Sequence, residues 1–206
     1  MKSWEARRLQ EALLVRTVRE ESGGGTRTSG AYPAGDEQDV ALKDGTAVHL
    51  RPIRDDDEAG LLTLYDRLSP ESLYFRFFAV PDKDAGKVAY LTHVDYERRY
   101  AVVAEAAGAI VGVARWECLA DHPGHAEVAF TVADDFQGRG LGGILFRRLA
   151  ALARARGIKV FEAEVLKNNE RMLRVFERTG LPTATRDQGS ILTILMALDP
   201  AAPPPA

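Results

Sequence analysis

Val132-Ala-Asp-Asp-Phe-Gln-Gly-Arg-Gly-Leu-Gly-Gly143 lies between a strand-like run, Val128 to Val132, and a helix-like run, Leu141 to Arg156. Its glycines let the main chain turn tightly and approach a ligand without a Cβ in the way. The first N–H groups of the following helix lack internal partners and carry the positive end of its dipole. A phosphate placed there is bound by the main chain, with Arg139 available as a mobile counter-charge. The spacing therefore points to a phosphorylated cofactor and leaves two candidates. Gly138-Arg-Gly140-Leu-Gly-Gly143 satisfies the G-x-G-x-x-G of dinucleotide folds, with Glu162 and Glu164 about twenty residues on as a ribose carboxylate. Against that reading, Asp134-Asp135-Phe136-Gln137 intervenes between strand and first glycine, and the chain lacks the βαβ units of a second mononucleotide half. The other candidate is coenzyme A.

Composition narrows the class. The chain has 206 residues, enough for one well-buried domain plus tails, and is 46% hydrophobic and 28% charged, as soluble globular proteins are. No window approaches the ~20 apolar residues of a transmembrane helix. The N-terminus has no apolar signal-like region, so the expected compartment is the cytoplasm. Cys118 is the single cysteine, which excludes an internal disulfide. A formal charge of −3 without a basic stripe argues against nucleic acid as partner. The four histidines are scattered; His122 and His125 are nearest, in a loop without an obvious full ligand set, so no metal is expected.

Three regions follow from patterning. Residues 1–39 read as a charged helix over 3–20, with Leu9, Leu13, Leu14 and Val18 at helical spacing, and then a Gly/Ser/Thr-rich linker over 22–38. Residues 40–199 form the body, and 200–206 a Pro/Ala-rich tail or interdomain linker. Within the body, Val40 to Ile53 reads as a hairpin turning at Asp44-Gly45. Helices are predicted over Asp55–Leu68, Ser69–Phe78 and Pro81–His93. Strands follow at Tyr100–Glu105, Ile110–Cys118 and Glu127–Val132, then the helix Leu141–Arg156 closing at Gly157. A strand at Val160–Val165, a helix at Asn169–Thr179 and a strand at Ser190–Leu198 complete a mixed α/β body.

Gln137-Gly138-Arg139-Gly140-Leu141-Gly142, after a strand and before a helix, resembles the acyl-CoA site of the GNAT superfamily of N-acetyltransferases. Three further segments share the resemblance: Leu50-Arg-Pro-Ile53, Ala126-Glu127-Val-Ala-Phe130, and Asn169-x-x-Met172-x-x-Val-Phe176-x-x-x-Gly180. Leu68-Ser-Pro-Glu-Ser-Leu-Tyr-Phe-Arg-Phe-Phe78 and Val94-Asp95-Tyr96 look like the GNAT domains of bacterial protein lysine acetyltransferases that act on acyl-CoA synthetases. The resemblance implies a GNAT fold, a mixed and mostly antiparallel sheet flanked by helices. It also implies acetyl-CoA as cosubstrate, a protein lysine as acceptor, direct transfer in a ternary complex, and fusion to a further domain beyond residue 206. A small-molecule amine acetyltransferase and a non-catalytic CoA-binding sensor are the alternatives.

Site roles come from the same resemblance. Glu127 matches the general base, a carboxylate able to take the proton of an incoming amine. Main-chain N–H groups around Phe130 to Val132 would meet the thioester oxygen where the strand splays from its parallel neighbour. The backbone of Val132 and Ala133 would pair with the pantetheine amides, and Gln137, Gly138, Arg139, Gly140, Leu141 and Gly142 would hold the pyrophosphate. Asn169 matches an asparagine near the pantetheine arm, and also reads as a helix N-cap. Phe176 stands where many members carry a tyrosine that protonates the departing thiolate, so it is expected to pack on pantetheine or core. Cys118 reads as a structural thiol.

Overall fold

The computed structural model describes residues 30–78 and 85–205. Eight strands form one sheet in the order β1-β2-β3-β4-β5-β6-β8-β7. They are β1 Gln38–Ala41, β2 Ala47–Pro52, β3 Arg99–Ala106, β4 Ala109–Cys118, β5 His125–Val132, β6 Val160–Leu166, β7 Thr183–Gln188 and β8 Ile191–Ala197. Every neighbouring pair is antiparallel except β5 and β6. One parallel pair builds no second mononucleotide half, which removes the dinucleotide reading.

Among the described residues five α-helices flank the sheet: α1 Glu58–Asp66, α2 Pro70–Phe77, α3 Ala85–Thr92, α4 Leu141–Ala155 and α5 Glu170–Glu177. The pleat of β4 sorts them into layers, because residues three apart on a strand face opposite sides. A Cβ on Gly112 would meet Leu141 and Leu145 of α4, whereas Arg115 donates to the Leu91 carbonyl of α3 at 3.1 Å. Leu141, Leu145, Phe146, Leu149, Leu152 and Ala153 give α4 a buried stripe at helical spacing. At ~1.5–3 kcal/mol per large buried side chain, that stripe anchors the helix behind the glycine loop.

Two readings change at the borders of the body. Residues 30–38, read from composition as the end of a flexible linker, pack onto it. The Tyr32 ring meets Tyr96 edge-on at 6.1 Å, and Asp36 accepts hydrogen bonds from Tyr100 at 2.8 Å and Arg156 at 2.7 Å. The helix read over 3–20 lies outside the described residues, as does the start of the one read from Pro81. β7 was missed altogether. Its sequence, Thr-Ala-Thr-Arg-Asp-Gln, is almost wholly exposed at the sheet edge and lacks apolar alternation. Among the described residues no helix is long and apolar enough to cross a membrane.

Candidate active site

β5 pairs with β4 from Gly112↔Val132 to Cys118↔Ala126, but with β6 only at His125↔Val160, Ala126↔Phe161 and Glu127↔Glu162. Beyond Glu127 the two parallel strands part. The free edge of Val128–Val132 then faces a groove of about 680 Å³. Glu127 stands at the branch point, half-buried and lining that groove. Glu117 lies across from it on β4 and Glu162 on β6, so three carboxylates share one cross-strand row.

The glycine loop closes the other end. After β5 a single 3-10 turn, Asp134–Phe136, carries the chain to Gly138 (φ 74°) and Gly140 (φ 94°), which N-caps α4. Both glycines sit in the left-handed region, where a Cβ is costly. Gly138, Gly140 and Gly142 line the groove. The Gln137 side chain also lines it but serves as a brace. Its amide donates to the Val132 carbonyl at 3.0 Å and Asp134 at 2.8 Å, and its oxygen accepts from Arg171 at 2.6 Å. Asp134 in turn accepts from the Ser69 amide at 2.5 Å and from the Ser72 hydroxyl, which pins α2 to the loop. Burial opposes ionisation of Asp134, but the hydrogen bonds from Ser72 and Ser69 outweigh it and hold the carboxyl below its ordinary range.

Among the site residues read from sequence, Arg139 and the Ala133 N–H are held by partners within the fold. Arg139 is not a mobile counter-charge. Its Nε reaches Asp44 at 2.5 Å, a second nitrogen bonds Thr46, and its guanidinium lies 4.6 Å from the Phe136 ring centre. The turn between β1 and β2 has claimed it. The Ala133 N–H donates to the Val111 carbonyl at 2.9 Å, so it continues the sheet instead of meeting pantetheine. Leu141 is 1% exposed, its side chain in the core, which leaves its main chain at the first turn of α4 as its contribution. The cationic side chains lining the groove are Lys43, Arg76, Arg147, Arg171, Arg174 and Arg178. The spacing of 171, 174 and 178 is a helical face, a signal that was there to be found; Lys43, on the β1–β2 turn, had none.

Asn169 caps α5, its Oδ1 accepting from the Met172 amide at 3.1 Å, and also lines the groove. Phe176 is 5% exposed and packs edge-on to Phe130 and Phe146, with centroids 6.1 and 5.9 Å away. It closes the core behind the splayed strands. Cys118 is half-buried, and burial pushes its thiol up, away from a nucleophile's range.

A splayed parallel pair, a carboxylate at the branch and a glycine loop feeding a helix N-terminus line one groove. The family model for the Acetyltransferase (GNAT) family matches residues 62–181. The chain belongs to the GNAT family. That match takes in β3 to β6, α4 and α5, so Glu127 and the whole loop fall inside it. Among GNAT relatives, the acetyltransferase Pat of Mycolicibacterium smegmatis is 35% identical over 156 residues, covering 75% of this chain and 47% of its own length. The chain thus spans about half of that relative. The crystal structure of the GNAT domain of S. lividans PAT is 36% identical with a TM-score of 0.75, covering 81% of this chain and 99% of that one. The putative acetyltransferase yncA of Salmonella typhimurium, solved with its cofactor acetyl-CoA, is 22% identical with a TM-score of 0.58 over 76% of this chain and 97% of that one, and shares the fold.

Proposed function

We propose that the chain transfers the acetyl group of acetyl-CoA to a lysine side chain of a protein, with an acyl-CoA synthetase as the target class. The observation that carries this reading is Glu127 at the point where β5 leaves β6, facing a groove that runs to the glycine loop. Similarity to the Pat proteins supports the protein acceptor.

The difficulty of the reaction lies in the amine. A lysine with pKa ~10.4 is neutral in roughly one molecule in a few thousand at pH 7, a penalty near ~4–5 kcal/mol. Glu127 accepts a proton from the incoming ammonium, directly or through one water, and the freed nitrogen attacks the thioester carbon. Main-chain N–H groups along the open edge of β5 meet the oxygen as charge gathers there. The C–S bond breaks, the electron pair leaves on sulfur, and the nitrogen loses its second proton to water as the amide forms. Phe176 has no proton to give. A free thiol pKa of ~8.5 makes the thiolate a tolerable leaving group, to be protonated by water. The arginines of α5 and Lys43 line the groove, which supports a role for them in offsetting the charge of the cofactor's phosphates.

The test is acetyl transfer from labelled acetyl-CoA to a panel of purified acyl-CoA synthetases, comparing the protein with Glu127→Ala. The expected result is labelling of one synthetase lysine that falls by about 10²–10⁴-fold in the variant, with acetyl-CoA binding retained. Labelling that survives in Glu127→Ala keeps the enzyme and removes the base. Binding without labelling of any synthetase moves the acceptor to a small amine, or the chain to a CoA-binding module.

A further inference from the structure

Outside the acyl-transfer groove, one cluster joins three side chains of metal-ligating type: His122, His125 and Glu162. Each offers one ligand atom within 4.8 Å of the other two. The first two come from the turn that enters β5 and the third from the middle of β6. They meet because β5 and β6 run parallel with His125 opposite Val160 and Glu127 opposite Glu162.

The turn is built to hold both imidazoles in place. His122-Pro123-Gly124-His125 closes with the His125 N–H on the His122 carbonyl at 3.0 Å, with proline at its second position and Gly124 at φ +82° in its third. That is the pattern of a type II turn, stiff at proline and possible at low cost only with glycine third. The Gly124 carbonyl also accepts from the amides of Lys159 and Val160 at 2.8 and 3.2 Å, which ties the turn to the strand that carries Glu162. The donor atoms are already near metal spacing. His122 Nδ1 stands 3.3 Å from Glu162 Oε1, the separation two ligands adopt around a tetrahedral ion with bonds of ~2.0–2.1 Å. His125 Nδ1 is 2.6 Å from the same oxygen, a hydrogen bond that opens by under ~1 Å to admit an ion. Side-chain exposure falls from 51% at His122 through 28% at His125 to 15% at Glu162, a path inward from solvent.

We propose that His122, His125 and Glu162 form a binding site for a zinc-class divalent transition ion. Two imidazole nitrogens and one carboxylate oxygen suit zinc and its neighbours, whereas magnesium and calcium take oxygen ligands. Three protein ligands leave a fourth position to water. His125 lies two residues before Glu127 on the same strand face and Glu162 stands directly across from Glu127, so the site borders the branch point.

The test reads binding, independently of acetyl transfer. The 206-residue chain, stripped with a chelator, is titrated with Zn²⁺ alone by calorimetry and with Co²⁺ by visible absorption. One equivalent of Zn²⁺ is expected at micromolar affinity or tighter, with Co²⁺ bands of four- or five-fold coordination. His122→Ala and Glu162→Gln should each weaken binding by more than the ~10–100-fold typical of losing an outer partner, while His93→Ala leaves it unchanged. His122 is exposed, so its variant keeps the parent melting curve and the comparison holds even if Glu162→Gln is unstable. Absence of binding at millimolar Zn²⁺ overturns the site and leaves a plain imidazole–carboxylate hydrogen bond. Binding that survives His122→Ala unchanged overturns it equally.

Discussion

Gly140 concentrates two demands on one residue. It holds φ 94° at the N-cap of α4, and a Cβ there would lie 3.4 Å from the Lys43 side chain. Gly138, at φ 74°, has open space around it. Gly140→Ala is therefore expected to cost about 1–2 kcal/mol from the backbone alone and to lower acetyl-CoA affinity by displacing Lys43. Thermal melting should show a fall of about 2–4 °C per kcal/mol, and calorimetry should show weaker acetyl-CoA binding than in Gly138→Ala. An affinity drop no larger than that of Gly138→Ala would remove Lys43 from the argument. Arg139 teaches the converse lesson. Beside a phosphate loop an arginine reads as a ligand, but the Asp44 carboxylate takes it, and that hydrogen bond holds the Asp44 carboxyl far below its usual range. No local pattern announces a partner so distant in the chain.

At the level of elements, Asp134 couples the loop to α2. It joins Ser69 and Ser72 to the turn that presents Gln137, while Arg67 reaches Asp135 at 2.8 Å beside it. Because the folded carboxyl titrates below its ordinary value, its contribution to stability is present above pH ~4 and is lost as pH falls through the folded pKa. Asp134→Asn should thus be about 1–2 kcal/mol less stable near neutrality, with the difference closing in acid. Paired melts at pH 7 and below pH 4 check this; a gap independent of pH would sink the linkage. The helices and most strands of this region were legible because their apolar periodicity and turn residues act within a short window. β7 was not, since its pairing with β8 is a matter of which edge lies open, and its side chains face water.

For the whole molecule, Arg51 stitches three segments from a position 4% exposed. It pairs with Asp57, just ahead of α1, through two 2.7 Å hydrogen bonds, and with Glu105 of β3 at 2.7 Å. Asp57→Ala strands half of that charge in the interior, and a loss of about 3–5 kcal/mol is expected in denaturant unfolding. A loss below ~1 kcal/mol would mean that Glu105 and water suffice. By itself the sequence determined the order of the elements other than β7, the glycine loop and the strand that bears Glu127. Those features follow from hydrophobic period, left-handed turns and caps, which are properties of neighbouring residues. Tertiary structure alone decided that β5 parts from β6 after Glu127, that Arg139 belongs to Asp44, that residues 30–38 join the body, and that Glu162 stands beside two histidines. Such juxtapositions depend on strand order and register, and two chains with the same local patterns could pair their strands differently.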